Sequence, residues 1–85
     1  MKPKALFVRL SRGQVQNVRF SDFVRLIEAF GFHYSHTTGS HQQFAREGVK
    51  QIVNIQDERG EVKPYQAREF LGLIERYNLA LEDDE

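Results

Sequence analysis

A run of small, turn-forming residues, Thr37-Thr38-Gly39-Ser40, constrains the fold of this chain more than any other stretch. Apolar, aromatic and polar residues alternate on both sides of it, as they do in β-strands that bury one face. Glycine and small polar residues between two such runs favour a tight hairpin loop. We therefore predict a strand over Phe32–His36 and its antiparallel partner over His41–Arg46.

The return strand of this predicted hairpin opens with a histidine. His41 directly follows the Gly39-Ser40 pair, so backbone N–H groups and a hydroxyl lie beside a side chain of the type that titrates near neutral pH. A turn rich in hydrogen-bond donors beside a proton-transfer group is suited to holding and cleaving a phosphodiester. His41 is therefore the first candidate for chemistry in this chain.

A third strand is predicted directly after the hairpin. Glu47-Gly48-Val49 forms a second turn, and Lys50–Gln56 contains the β-branched, mostly apolar run Ile52-Val53-Asn54-Ile55 that is typical of a strand packed on at least one face. Asp57–Gly60 is polar and predicts a loop. The three strands then form an antiparallel meander.

Helices are predicted on both sides of this meander. Ser21 is a natural N-cap for a helix over 21–30, which Gly31 ends, and Pro64 suits the first turn of a final helix. A shorter helix is predicted over Lys4–Arg12, with Gly13 stopping it. The final helix has an apolar face with helical spacing, formed by Ala67, Phe70, Leu71, Ile74 and Tyr77.

The predicted architecture is an α+β two-layer sandwich with the order α-β-β-β-α and a possible short N-terminal helix. The length of 85 residues fits a single domain, 1–85, with residues 1–14 as an N-terminal extension. Residues 82–85 form an acidic tail that we expect to be disordered. The chain has no cysteine and no apolar run of membrane-spanning length, so we expect a cytoplasmic protein without membrane contact.

The formal net charge is zero, which by itself argues against a nucleic-acid binder. The distribution of charge is less neutral. Removing the four acids of residues 82–85 from the twelve leaves eight acidic against twelve basic residues, a net charge near +4. This balance is compatible with RNA as a partner and does not require it.

Four sequence features together resemble one protein family. They are Phe20-Ser21-Asp22 opening a helix, Ala29-Phe30-Gly31-Phe32 closing it, Gly39-Ser40-His41 after the hairpin turn, and Lys63-Pro64 opening the last helix. In this combination, over about residues 15–80, the chain resembles the HicA toxins of type II toxin–antitoxin systems. These are small RNA-cleaving proteins with a fold similar to the double-stranded-RNA-binding domain.

The resemblance implies a function and a set of site residues. His41 corresponds to the catalytic histidine of the family, and Gly39 and Ser40 to the turn that presents it. The implied activity is that of an mRNA interferase, an endoribonuclease, restrained by a HicB-like antitoxin protein. RNA carries its own nucleophile, the 2′-hydroxyl, so we expect cleavage without a metal or another cofactor and expect DNA to resist.

Other side chains are candidates for holding the RNA. Arg46, Lys50 and Lys63 are predicted to form a phosphate-binding rim, although solvated surface charge explains them equally well. Tyr34, Phe44 and Tyr65 are candidates for base stacking, but aromatic residues in so small a domain mostly belong to the core.

The two remaining histidines, His33 and His36, are predicted to lie on opposite faces of their strand because side chains alternate. Across the turn His36 could approach His41, but two histidines without a carboxylate or thiolate at a fitting spacing form a poor zinc set.

Two further readings of the sequence stay open. In the first, the chain is a non-catalytic RNA-binding or protein-interaction module with the same fold, which Gln42 directly after His41 and the neutral charge favour. In the second, it is a structural adaptor without RNA affinity, which predicts no salt-dependent binding to RNA. An RNase assay on the wild type beside His41→Ala separates cleavage from retention without product.

Overall fold

The computed structural model describes residues 1–82. Three helices and five short strands follow one another in this part of the chain. In chain order they are α1 (Pro3–Ser11), β1 (Val18–Arg19), α2 (Phe20–Ala29), β2 (His33–Thr38), β3 (His41–Ala45), β4 (Val53–Gln56), β5 (Glu61–Val62) and α3 (Pro64–Arg76). The predicted α-β-β-β-α order with an additional N-terminal helix is confirmed.

Helix α2 covers Phe20–Ala29, close to the predicted range, because its apolar residues repeat at helical spacing. The prediction of Ser21 as N-cap was wrong: Arg19 is the N-cap residue, no side chain caps the helix, and Ser21 lies in its first turn. Phe23, Leu26 and Ile27 are fully buried on one face. Asp22 places a negative charge in the first turn, where it interacts favourably with the helix dipole. The helix ends at Gly31, whose φ of +89° belongs to the left-handed region that glycine adopts readily.

Helix α1, which lies within the predicted N-terminal extension, is packed into the core. Leu6 and Leu10 are each 1% exposed, and the Phe7 ring meets the Phe30 ring edge to face at a centroid distance of 5.2 Å. Pro3 occupies the first turn, where the missing N–H costs nothing. The extension therefore contributes to the same hydrophobic core as α2 and α3.

Strands β2, β3 and β4 form an antiparallel sheet in that order. The inner face of the sheet is marked by Phe44, Val53 and Ile55, which are buried in the core cluster with the helices. Because partners in register lie on the same face, Phe44 opposite Val53 fixes which residues point outward. The alternate positions, among them His41, Gln43, Asn54 and Gln56, form the opposite face, here called the outer face.

A second sheet, which the sequence did not predict, consists of β1 and β5 with Val18 opposite Val62. Both valines are buried, at 0% and 3% exposure. The Phe20 N–H donates to the Gly60 carbonyl oxygen at 2.8 Å and extends the pairing. Strands of two residues are too short to show alternation in a sequence. The predicted loop Asp57–Gly60 is present and leads directly into β5.

The centre of the core is a group of edge-to-face aromatic contacts around Phe70 of α3. Its ring lies 5.6 Å from that of Phe23 and 5.8 Å from those of Phe30 and Phe32. Such pairs stabilise a core by roughly 0.5–1.5 kcal/mol each beyond the burial of their area. The chain is thus a small α+β fold of helices packed on a sheet.

After α3 the chain turns back across the end of α2. The Glu82 N–H donates to the Ala29 carbonyl oxygen at 2.7 Å, and Leu79 and Leu81 pack partly buried against the core. Glu82 belongs to the predicted acidic tail; the remainder of that tail, Asp83–Glu85, lies outside the described residues. Within residues 1–82 no helix combines the length and hydropathy needed to cross a membrane.

Candidate functional site

His41 begins β3 directly after a two-residue hairpin loop. Thr38 and His41 are partners in register, so Gly39 and Ser40 alone form the loop. Gly39 has a φ of +62° and occupies the first central position, which is where a type II′ turn places glycine. The twist of such a turn matches that of the strands beside it, so the hairpin fixes the position of His41 on the sheet.

The His41 side chain is only partly exposed, between Thr38 on β2 and Gln56 on β4, its partners in register. Its Nδ1 has almost no accessible surface and finds no hydrogen-bond partner among the described residues. In this conformation Nδ1 is therefore closed to solvent. A buried polar atom without a partner is uncommon in folded proteins and is found at functional sites.

A β-bulge in β2 changes where its histidines point. The register passes from Tyr34 to His36 with one residue, Ser35, left over. His33 pairs with Ala45 and His36 with Gln43, which are two residues apart on β3, so both histidines point to the outer face. The prediction of opposite faces was wrong, because the extra residue shifts the alternation. At the bulge the Ser35 Oγ and the His36 Nδ1 are 3.0 Å apart, within hydrogen-bond distance.

Lys63 lies at the same end of the sheet as His41. Gln56 ends β4 opposite His41, and its N–H is 3.5 Å from Oε1 of Gln66 in the first turn of α3. Lys63 is the N-cap residue of that helix. Its Nζ forms an ion pair with Glu58 Oε2 at 3.1 Å, and both side chains are at least 40% exposed. The N-terminus of α3, with Lys63, therefore lies near the end of the sheet at which the Gly39-Ser40 turn and His41 are found.

Arg46 and Lys50 lie at the opposite end of the sheet. Arg46 follows the last residue of β3, five residues beyond His41 and therefore about 17 Å along the strand at ~3.3 Å per residue. Its Nη1 donates to the Phe30 carbonyl oxygen at 2.7 Å, and its Nη2 lies 3.4 Å from Glu82 Oε2. Lys50 is exposed in the connection to β4. The structure does not bring these two residues beside His41.

The three aromatic residues considered for base stacking differ in exposure. Tyr34 is 54% exposed and Tyr65 is 47% exposed, whereas Phe44 is 1% exposed and belongs to the core. The Tyr34 ring meets the Phe44 ring edge to face at 5.8 Å. Its hydroxyl lies 2.7 Å from Thr37 Oγ1. Tyr34 and Tyr65 thus keep a free surface, and Phe44 does not.

Amide side chains near His41 were not singled out from the sequence. Gln43 and Asn54 are partners in register on the outer face, and Gln56 faces His41 in the same way. The signal that points to them is the composition of the strands: β2, β3 and β4 contain no Asp, Glu, Lys or Arg among their described residues. The chain as a whole is 28% charged.

Comparisons with known proteins identify one family. Neither a search of curated proteins nor a search of solved structures found a match. A family model described as the HicA toxin of bacterial toxin–antitoxin systems matches residues 20–75, more than half of the chain. The matched segment contains the hairpin, His41 and Lys63. The chain therefore belongs to the HicA toxin family, the toxins of bacterial toxin–antitoxin systems.

Proposed function

We propose that this toxin is a metal-independent endoribonuclease that cleaves mRNA in the cytoplasm, with His41 as general acid or base. The observation that carries the proposal is the placement of His41. It begins β3 directly after the Gly39-Ser40 turn, inside the segment matched to the toxin family. Toxins of this family are generally ribonucleases, which agrees with chemistry at that position.

The reaction needs few protein groups because RNA supplies the nucleophile. The 2′-oxygen loses its proton and forms a bond to phosphorus, the bond from phosphorus to the 5′-oxygen breaks, and that oxygen takes up a proton. A 2′,3′-cyclic phosphate remains. His41 either removes the first proton or supplies the second, which typically contributes a factor of about 100 to 10,000.

The groups around His41 supply orientation and charge. The Gly39-Ser40 backbone and the Ser40 hydroxyl orient the scissile phosphate, and Lys63 stabilises the negative charge that develops on its oxygens. Lys63 becomes available when RNA competes with Glu58 for the ammonium group, since this ion pair is exposed and weak. Lys50, at the other end of the sheet, contacts the RNA backbone only at a distance from the cleaved link.

The test compares His41→Ala with His33→Ala, a matched control in which an exposed histidine at the other end of the face is removed. Purified wild type and His33→Ala should cleave RNA at similar rates. His41→Ala should be slower by about 100- to 10,000-fold and should melt cooperatively like the wild type. A single deoxynucleotide at the cleavage site should block the reaction. Cleavage by His41→Ala at the wild-type rate would refute the assignment.

The proposal also includes a HicB-like antitoxin that covers the His41 surface. Membership of a toxin–antitoxin family implies a restraining partner, and covering the hairpin is the most direct way to keep RNA from His41. Adding the cognate antitoxin should stop RNA cleavage and slow hydrogen exchange in β2 and β3. Inhibition without any change in the exchange of these strands would contradict this mode of binding.

A second candidate function is a non-catalytic RNA-binding or protein-interaction module. It is favoured by the unpartnered Nδ1 of His41, because a catalytic histidine usually has a second group that orients its ring. Such a module would retain RNA on a filter without releasing product. The cleavage assay above distinguishes the two functions directly.

A further inference from the structure

The outer face of the sheet is polar but carries no permanent charge. Strands β2, β3 and β4 have six, five and four residues, and none of these described residues is Asp, Glu, Lys or Arg. In a chain that is 28% charged, an exposed sheet of this composition is unusual. No residue of these strands therefore carries a permanent negative charge that would repel a polyanion.

Two rows of side chains cross this face from strand to strand. One row is Thr38, His41 and Gln56, and the next is His36, Gln43 and Asn54. Neighbouring rows are separated by two residues along each strand, about 6.6 Å. The second row therefore lies beside a nucleotide adjacent to the link at His41, and not over the link itself.

Gln43 and Asn54 bring two carboxamide groups together in that second row. Each carboxamide has donors and an acceptor side by side, the combination that pairs with the edge of a nucleobase, and its bidentate match is adenine. Duplex RNA would offer mainly phosphates and 2′-hydroxyls, whereas a single strand can present its base edges to a neutral surface. The chemistry of the face thus fits bases better than phosphates.

We propose that the two rows of the outer face beside His41 bind single-stranded RNA and that Gln43 and Asn54 read the base of one nucleotide adjacent to the cleaved link, with a preference for adenine. This inference rests on the proposed function and adds the source of its sequence selectivity. The two roles then belong to different parts of the protein. Gln43 and Asn54 select the base, and Lys63, near the end of the sheet, attracts the RNA backbone. Selectivity then depends little on salt, because no counterions are released where only neutral groups make contact.

Cleavage of a randomised single-stranded RNA pool, followed by sequencing of the product ends, tests the assignment. Wild type should favour adenine at one flanking position by about 5- to 100-fold. Gln43→Ala and Asn54→Ala should lose most of that preference and still cut the pool. Gln14→Ala, which removes an exposed amide outside the sheet, should retain it. An unchanged preference in both sheet variants overturns the proposal, as does an effect confined to antitoxin affinity.

Binding measurements keep this inference distinguishable from the proposed function. If wild type cleaves no RNA, the ribonuclease proposal fails, and the binding of four homopolymers to the same protein then tests the face. Tighter binding of poly(A), lost in Gln43→Ala without a change in the slope of log affinity against log salt, supports base reading. Equal binding of all four polymers overturns it. Lys63→Ala should show the reverse pattern, a smaller slope with the base preference intact.

Discussion

Replacing Arg46 by alanine tests whether this guanidinium stabilises the fold or contacts RNA. The sequence made Arg46 a candidate for phosphate binding, but its Nη1 donates to the carbonyl oxygen of Phe30 at 2.7 Å. Phe30 is the C-cap residue of α2, so this carbonyl is one of those that a helix end leaves without an intrahelical partner. A cation at a helix C-terminus also interacts favourably with the helix dipole.

The expected loss of stability follows from these contacts. A hydrogen bond from a charged donor to a part-buried carbonyl contributes roughly 1.5–3 kcal/mol. The ion pair with Glu82, 3.4 Å long and with the Glu82 side chain 57% exposed, adds at most about 1 kcal/mol. We expect Arg46→Ala to lower the free energy of unfolding by about 2 kcal/mol, and the Tm by roughly 8–16 °C for a domain of this size.

Thermal melts followed by circular dichroism measure this change, with Glu82→Gln as the matched control. Glu82→Gln removes the ion pair and leaves the bond to Phe30, so its stability should stay within about 1 kcal/mol of the wild type. At a temperature where Arg46→Ala is fully folded, its rate of RNA cleavage should equal that of the wild type. An unchanged Tm with reduced cleavage would refute the structural role and return Arg46 to the RNA-binding surface.

Three further predictions concern the core, the turn and the edge of the site. Leu6→Ala removes a side chain that is 1% exposed, so denaturant unfolding should show a loss of about 2–5 kcal/mol; a smaller loss would mean that α1 contributes little to the core. Gly39→Ala meets no atom within 4 Å, so only the strained φ of +62° should cost stability, about 1 kcal/mol, and a larger loss in a thermal melt would reveal a steric conflict. Lys63→Ala breaks an exposed ion pair with Glu58 and should change stability by less than about 1 kcal/mol while weakening RNA binding in a filter assay. Glu58→Gln should strengthen that binding. Equal RNA affinities of the two variants would show that Lys63 does not belong to the site.

The sequence predicts well the features that depend on patterns of neighbouring residues. Helix α2 combines an apolar stripe with an acidic first turn and a closing Gly31, and α3 begins at Pro64 as expected. The hairpin is specified by Gly39 between alternating residues, and the structure gives it a two-residue loop. Each of these signals depends on residues within a few positions of one another, so a single chain is enough to find them.

What the sequence does not show depends on contacts between distant residues. The bulge at Ser35 becomes visible only in the register against β3, and it places His33 on the same face as His36 and His41. From the sequence Arg46 is a surface cation, whereas in the structure it contacts the C-terminal end of α2 and Glu82. Lys50 is close to His41 in the sequence but sits in the connection at the other end of the sheet. Spacing along the chain therefore identified the turn and His41 as candidates but not which charges surround them.

Helix α1 determines how much of the chain a stable fragment must contain. It precedes residue 20, where the match to the family begins, yet Leu6 and Leu10 fill the same core as Phe30 and Phe70. The segment that matches the family model and the residues that build the hydrophobic core therefore differ, and the border of the match at residue 20 separates α1 from the core that it helps to fill. A fragment trimmed to that border would expose the Phe30 ring to water and should aggregate.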